Sequence, residues 1–358
     1  MKGLRGSSFA TAAAVVLFVA AVALLPFFVD DFQASQYAYV GIYFIAICGL
    51  NILTGYTGQI SLGHGAFMAV GGYTTAILAT EQEREIFGWT FTAGFPYWAT
   101  IPLAGLIAGS AGVLLAIPAL RLSGLYLALA TFGLALAAPA LIKKYPDLTG
   151  GSTGLSFDLV SAPSWLGLST NDWYYYLCWA IALALLGAAW LLLRGRTGRS
   201  FRAVRDSEVA AVSFGIHLPT YKTLAFSVSA FYAGVAGALF AVVNLSYVSP
   251  ETFALRLSIY LVVGTVAAGL GTLWGIVFGA LLIEWLVVPT FEVATVSRTD
   301  IVEWADKVLP LTLDPSAIGI ADFVFGAVLV GVMLLLPKGA GGLLRRGVTS
   351  LADRLYTR

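Results

Sequence analysis

Apolar runs of about twenty residues recur along this chain from Phe9 to Pro337, and they leave little room for any fold outside a bilayer. An α-helix rises ~1.5 Å per residue, so a hydrocarbon core ~30 Å thick is crossed by about twenty apolar residues. On that measure spans fall near 9–29, 37–54, 60–80, 97–119, 122–142, 173–193, 223–247 and 319–337. One further run, Leu257–Pro289, would make a single helix ~50 Å long, more than tilting absorbs comfortably. Gly269-Leu-Gly-Thr272 breaks that run at its middle. Two short spans, near 257–270 and 272–289, fit better and bring the expected total to ten. Only 11% of the 358 residues are charged, against roughly 25% in soluble domains, which excludes a water-soluble fold. The expectation is an all-α integral membrane protein forming a single transmembrane domain over residues 1–358.

Charge decides which way the spans face. Lys2 and Arg5 precede the first run. It is longer than a ~7–15-residue signal core, and no small-x-small cleavage site follows it before Asp30, so it reads as a retained span. With the N-terminus inside and ten alternating spans, the inside segments collect 14 Lys and Arg. These are Lys2, Arg5, Arg121, six in Arg194–Lys222 and five after Pro337. Six Lys and Arg and most of the acids fall outside. This bias follows the positive-inside rule, whereas joining 257–289 into one span would put the basic tail outside. Both termini and the loop 194–222 are therefore expected in the cytoplasm, and the loops 143–172 and 290–319 on the outer side. In the second of these, Asp300-Ile-Val-Glu303 resembles a capping box, with Trp304 and Val308 at helical spacing and Pro310 at the end. It reads either as a helix lying at the interface or as a docking surface for an external partner. Glu81–Phe95 is a short acidic outer segment, and Thr149–Ser156 is a turn-rich loop.

Enzymatic chemistry finds no foothold. Nothing matches a phosphate-binding G-x-x-x-x-G-K-[ST] loop or a zinc motif. The two histidines, His64 and His217, lie far apart, and Cys48 and Cys178 sit in apolar runs as small hydrophobes. No catalytic or metal-ligating residue and no nucleic-acid contact is expected. Asn51–Gly65 is more informative, packing Gly55, Gly58, Gly63 and Gly65 among Asn51, Thr54, Gln59, Ser61 and His64. Backbone that leaves helical geometry at membrane depth must be buried in protein or line a wet cavity. Interrupted helices are also where transporters form binding sites. The alternative is a turn followed by a helix whose glycines allow close packing. Candidate pathway residues are Asn51, Gln59, Ser61, Gly63, His64 and Gly65, joined by Gly269 and Gly271 of the second Gly-rich hairpin. His64 reads first as a hydrogen-bonded structural residue. Glu284 is an intramembrane carboxylate that either couples an ion or reaches the outer interface. One such group is too few for an ion-coupled carrier, so the energy is expected to come from elsewhere.

The loop 194–222 suggests the source. Within it Ser207–Phe214 is a short helix former: Asp206 or Ser207 can cap it, Glu208 suits its N-terminal dipole, and Gly215 can end it in a left-handed cap before Leu218-Pro219. Val209, Val212 and Phe214 give an exposed helix apolar surface, which fits a plug for a socket on another protein better than lipid contact alone.

Glu208-Val-Ala-Ala followed by Gly215 and Leu218-Pro219 resembles the E-A-A…G motif of ABC importer permeases. Three segments are similar to the branched-chain amino acid permeases of the LivM type. The first is Leu53-Thr-Gly-Tyr-Thr-Gly-Gln-Ile-Ser-Leu-Gly-His-Gly-Ala-Phe67. The second is Gly124-Leu-Tyr-Leu-Ala-Leu-Ala-Thr131 with Thr149-Gly-Gly-Ser-Thr-Gly-Leu-Ser156. The third is Gly198-Arg-Ser-Phe-Arg-Ala-Val-Arg205 running into Leu224-Ala-Phe-Ser-Val-Ser-Ala-Phe231. Leu134 stands where the family often has an acid. The resemblance implies the ABC importer permease fold and a transport subunit of a prokaryotic inner membrane that is not itself an enzyme. It implies as partners a second homologous permease, two ATPase subunits that use ATP and magnesium, a solute-binding protein outside and the surrounding lipid. Substrates would be branched-chain or related amino acids, with urea or aromatic and small organic acids as the alternative, moved by alternating access. An ion-coupled secondary carrier is the other reading. Coupling would rest on Glu208, Ala211, Gly215 and Pro219, with Arg202 and Arg205 as flanking ionic contacts.

Overall fold

A computed structural model of the chain describes residues 16–284, apart from 81–83, 87–88, 92, 123, 159, 164–165 and 245, together with 330, 331 and 339. The expected span near 319–337, apart from residues 330 and 331, and the segment Asp300–Pro310 lie outside the described residues. Helices dominate: α1 (Val16–Phe27), α2 (Asp31–Tyr56), α3 (His64–Ala79), α4 (Tyr97–Ala119), α5 (Leu125–Lys144), α6 (Pro146–Thr149) and α7 (Thr170–Arg194). They are followed by α8 (Arg196–Asp206), α9 (Glu208–Ser213), α10 (Leu218–Val243), α11 (Leu255–Ala268) and α12 (Ile276–Leu282). Among the described residues six helices are long and apolar enough to cross a membrane: α2, α4, α5, α7, α10 and α11, the last counted with its preceding turn from Glu251. The protein is a multi-pass α-helical membrane protein.

Two-residue and three-residue strands form small caps between helices. In β1 (Arg84–Ile86) and β2 (Trp89–Phe91), Arg84 pairs with Phe91 antiparallel, so the acidic segment after α3 contains a two-stranded ribbon. In β3 (Leu155–Ser156) and β4 (Tyr247–Val248), Leu155 pairs with Val248. The latter ribbon ties the turn-rich loop after α5 to the end of α10, and the Tyr247 hydroxyl donates to Thr153 O at 2.7 Å.

Helix ends follow local chemistry. α2 starts at Asp31, six residues before the apolar run, because Gln33 Oε1 accepts the Asp30 amide at 3.4 Å and supports a polar first turn. α7 is capped by Ser169, whose Oγ accepts from the Asp172 amide at 3.0 Å. α10 opens with Pro219 in its first turn, where a missing N–H costs nothing. α4 occupies the expected residues 97–119.

α10 and α2 form the centre of the bundle and are buried along most of their length, whereas less than a third of α5 and of α7 is buried. Small residues let α10 approach its neighbours. A Cβ on Gly237 would overlap the Met68 carbonyl oxygen on α3, and one on Gly71 would overlap the Gly234 carbonyl. On the opposite side Gly112 of α4 faces Ala230, where an added Cβ would sit 2.6 Å from the alanine Cβ. Such contacts are how helices associate where lipid is as apolar as leucine.

Polar contacts between connecting segments sort into two ends of the bundle. One end holds the β3–β4 ribbon, the Lys143 Nζ–Glu251 Oε1 ion pair at 2.5 Å, and Asp31 accepting from Ser169 Oγ and Asn171 Nδ2, each at 2.6 Å. The other end gathers the C-terminal ends of α2, α7 and α11 with α8 and α9.

Candidate functional site

Three chain segments meet at this second end. α2 does not stop cleanly there: Asn51–Tyr56 is wound as π-helix, and the Gln59 amide returns to Leu53 O at 3.2 Å after Gly58 takes φ +72°. The segment's hydroxyls and amide hold this widened end together. Thr57 Oγ1 donates to Leu53 O at 2.6 Å, Thr54 Oγ1 to Gln59 O at 3.1 Å, and the buried Gln59 Nε2 to Thr57 Oγ1 at 3.0 Å.

Residues 58–63 then run without helical structure until α3 begins at His64. The polar groups they leave are met by side chains on other helices. Thr131 Oγ1 on α5 accepts from the Leu62 amide at 3.0 Å, and Ser258 Oγ on α11 accepts from the Gly65 amide at 2.9 Å. The fully buried Ser61 Oγ accepts from the Gly63 amide at 3.3 Å. His64 Nε2 lies 3.0 Å from Ser229 Oγ on α10, and that hydroxyl donates to Gly49 O on α2 at 2.7 Å. With the serine proton on Gly49, the imidazole Nε2–H is the donor. Nδ1 is then an acceptor, and it is buried without a protein partner. Ser229 is eleven residues, ~16 Å, into α10, so α3 begins deep in the bundle, as in a discontinuous transmembrane helix.

The second interruption lies against the first. α11 ends at Ala268, and Gly269 and Gly271 carry φ of +99° and +77°. Helix resumes only at Ile276, later than the expected start near 272. Asn51, buried at the start of the π-turn, reads this connection with both ends of its amide: Oδ1 accepts from the Gly271 amide at 2.8 Å and Nδ2 donates to Thr272 O at 2.6 Å. The two Gly-interrupted stretches, 220 positions apart in sequence, are thus one site.

α8 and α9 pack beside it. α8 buries Gly198, Phe201 and Val204 and turns its arginines outward, with Phe201 edge-on to Tyr221 at 6.3 Å. Arg202 and Arg205 are both exposed, and Arg205 donates through Nη1 to the Gly55 carbonyl. Of the two possible caps for α9, Ser207 is the one used, accepting the Ala210 amide at 3.2 Å. At the other end Gly215 takes φ +78°, and the Ile216 amide bonds Ala211 O at 3.0 Å in a left-handed cap. Nothing would touch a Cβ there, so conformation rather than space calls for glycine.

α9 divides sharply by face. Ala211 is 1% exposed, whereas Val209 is 80% and Phe214 86% exposed. Glu208 pairs with Lys222 in the second turn of α10, Nζ to Oε1 at 2.7 Å, with side-chain exposures of 45% and 8%. Pro219 is exposed just before it. Sequence reasoning treated Lys222 as a topology signal and missed this bond. A cation starting a long apolar helix needs an acid within reach, and Glu208 is one of only two in the loop. Thr131, Ser229 and Ser258 were also missed as site residues: α10 and α11 carry further hydroxyls, and nothing local marks the ones that meet a distant backbone group.

Paired helix interruptions inside a bundle of apolar helices, beside a capped loop helix with an outward apolar face, are features of a membrane permease. The chain belongs to the family of branched-chain amino acid transport system permease components, whose pattern matches residues 34–333. It is 33% identical over 295 residues to the high-affinity branched-chain amino acid transport system permease protein LivM of Salmonella typhimurium, and equally to that of Escherichia coli. Each match covers 75% of this chain and 66% of the relative. The autoinducer 2 import system permease protein LsrC of Klebsiella pneumoniae is 28% identical over 242 residues, 64% of this chain and 60% of that protein. No solved structure matches.

Proposed function

We propose that this chain is a transmembrane subunit of an ATP-driven importer, carrying branched-chain amino acids into a bacterial cell. The chain crosses the inner membrane about ten times with both termini and α8–α9 in the cytoplasm. It pairs with a second permease, receives substrate from an extracytoplasmic binding protein and is driven by two ATPase subunits, which bind the ATP and magnesium. Closure of the ATPase dimer moves α9, and the broken helices at Asn51–Gly65 and Gly269–Gly271 reopen the pathway to the other side.

The observation that carries this reading is α9 itself. A six-residue helix capped at both ends, buried only at Ala211 and presenting Val209, Val212 and Phe214 to water, has no apolar partner for those three side chains among the described residues. Exposed apolar side chains on a capped loop helix mark a protein–protein contact. The substrate class follows from that named for the LivM relatives. In the purified complex, cysteine introduced at Phe214 is expected to cross-link to the ATPase subunit through a short bifunctional maleimide, whereas cysteine at Ser152 of the opposite end does not. Labelling of Phe214→Cys by soluble maleimide that is unaffected by the ATPase would place the socket elsewhere.

A further inference from the structure

The charged end of α8 meets the place where the two interrupted helices join. Because the Gln59 amide turns back to Leu53, the Gly55 carbonyl at the C-terminal end of α2 is left without its helical donor, and Arg205 supplies one. A guanidinium also suits the negative end of the helix dipole. The neighbouring backbone is cut to fit. A Cβ on Gly271 would lie 2.9 Å from Arg205 Nη1 and 3.2 Å from Gly55 O, and one on Gly58 would lie 3.3 Å from Arg205 Cγ. A Cβ on Gly55 would overlap Asn51 Oδ1, the atom that holds the Gly271 amide.

Arg205 therefore bonds the end of α2 and lies beside Gly271 of the α11–α12 connection, while Asn51 ties those two to each other. On the far side, Arg205 is two residues from Ser207, the cap of α9, and three from Glu208, which is bonded to Lys222. The basic loop as a sequence suggests an arginine aimed at a partner's surface. The geometry instead directs this guanidinium onto the Gly55 carbonyl of the same chain, although Arg205, like Arg202 three residues earlier, lies at the exposed surface of α8.

We propose that Arg205 is a positioning residue inside the chain, the link that carries displacement of the α8–α9 unit to the paired interruptions at Gly55 and Gly271. This rests on α9 being the site that the ATPase moves. When α9 shifts, the guanidinium draws the end of α2 and the Gly269–Thr272 turn together, so the broken helices respond as one body and not separately. Without the link, the ATPase can still dock and cycle, but its motion does not reach the pathway.

The test uses the full complex in proteoliposomes, with L-leucine carried by the solute-binding protein, and reads leucine uptake per ATP hydrolysed. Arg205→Ala is expected to keep the ATPase subunits bound through purification while uptake per ATP falls at least tenfold. Arg205→Lys, which retains the charge and one donor, should recover part of the ratio. Gly271→Ala, which leaves the arginine in place but crowds its guanidinium, should lower the ratio in the same direction and keeps the test open should Arg205→Ala fail to accumulate. An unchanged ratio in Arg205→Ala or in Gly271→Ala overturns the proposal. So does release of the ATPase subunits by Arg205→Ala, which would make Arg205 a contact with the partner. A wild-type complex without ATP-dependent uptake would instead refute the functional reading itself, and that control precedes any variant.

Discussion

Gly237→Ala is expected to prevent this protein from accumulating in a folded form. The added methyl would overlap the Met68 carbonyl oxygen and sit 2.7 Å from its carbon. Both are main-chain atoms of α3, itself wedged against α10 over several turns, so neither can rotate aside. Overpacking in a well-filled core costs roughly 1–3 kcal/mol where side chains can give way. Here only helix separation relieves it, which places the cost at the upper end or beyond. In detergent, any protein recovered should unfold at least ~5 °C below the parent. Gly71→Ala, which meets the Gly234 carbonyl from the other helix, should behave alike. Gly133→Ala and Gly187→Ala meet nothing within 4 Å and should leave the unfolding temperature unchanged. Equal behaviour of all four would mean that α3 and α10 are not packed in this register.

The second large effect is on coupling. Glu208→Lys would bring a second ammonium to Lys222, which is nearly buried and has this one carboxylate within bonding distance. Stranding a buried charged donor costs about 1–3 kcal/mol or more, and the half-exposed position of Glu208 holds the figure within that range. The new cation would also oppose the helix dipole at the first turn of α9. The expected result is that α9 leaves its seat on α10. Stimulation of the ATPase by loaded binding protein should then fall by at least tenfold, and leucine uptake with it. Glu208→Gln keeps an acceptor for Lys222 Nζ and should retain a measurable share of both. Wild-type stimulation in Glu208→Lys would show that the Glu208–Lys222 pair does not hold α9 in place.

How far the amino-acid sequence announced these features depends on the range of the interaction that creates them. α4 follows from hydropathy to the residue, because a bilayer-crossing helix is specified by its own apolar length. The bounds of α9 were equally visible, since a Ser cap and a glycine C-cap act within a few residues. The interruptions at Asn51–Gly65 and Gly269–Gly271 were apparent from their glycines, but their union through Asn51 was not. That pairing spans 220 positions and leaves no periodic trace. The same holds for Thr131, Ser229 and Ser258, whose hydroxyls serve backbone groups on distant segments. The question of packing against pathway at Asn51–Gly65 also looks different with the contacts in view. Asn51, Gln59, Ser61 and His64 all hold the broken backbone in shape, and only His64 Nδ1 among their polar atoms lacks a protein partner in the buried interior.

The most direct measurement is uptake of radiolabelled L-leucine by proteoliposomes holding the permease pair and its ATPase subunits. Loaded binding protein is supplied on one face and ATP on the other, with no ion gradient. The account predicts uptake that requires both, stops when ATP is replaced by a non-hydrolysable analogue and is unaffected by ionophores. Uptake that persists without ATP and collapses when a proton or sodium gradient is removed would contradict it.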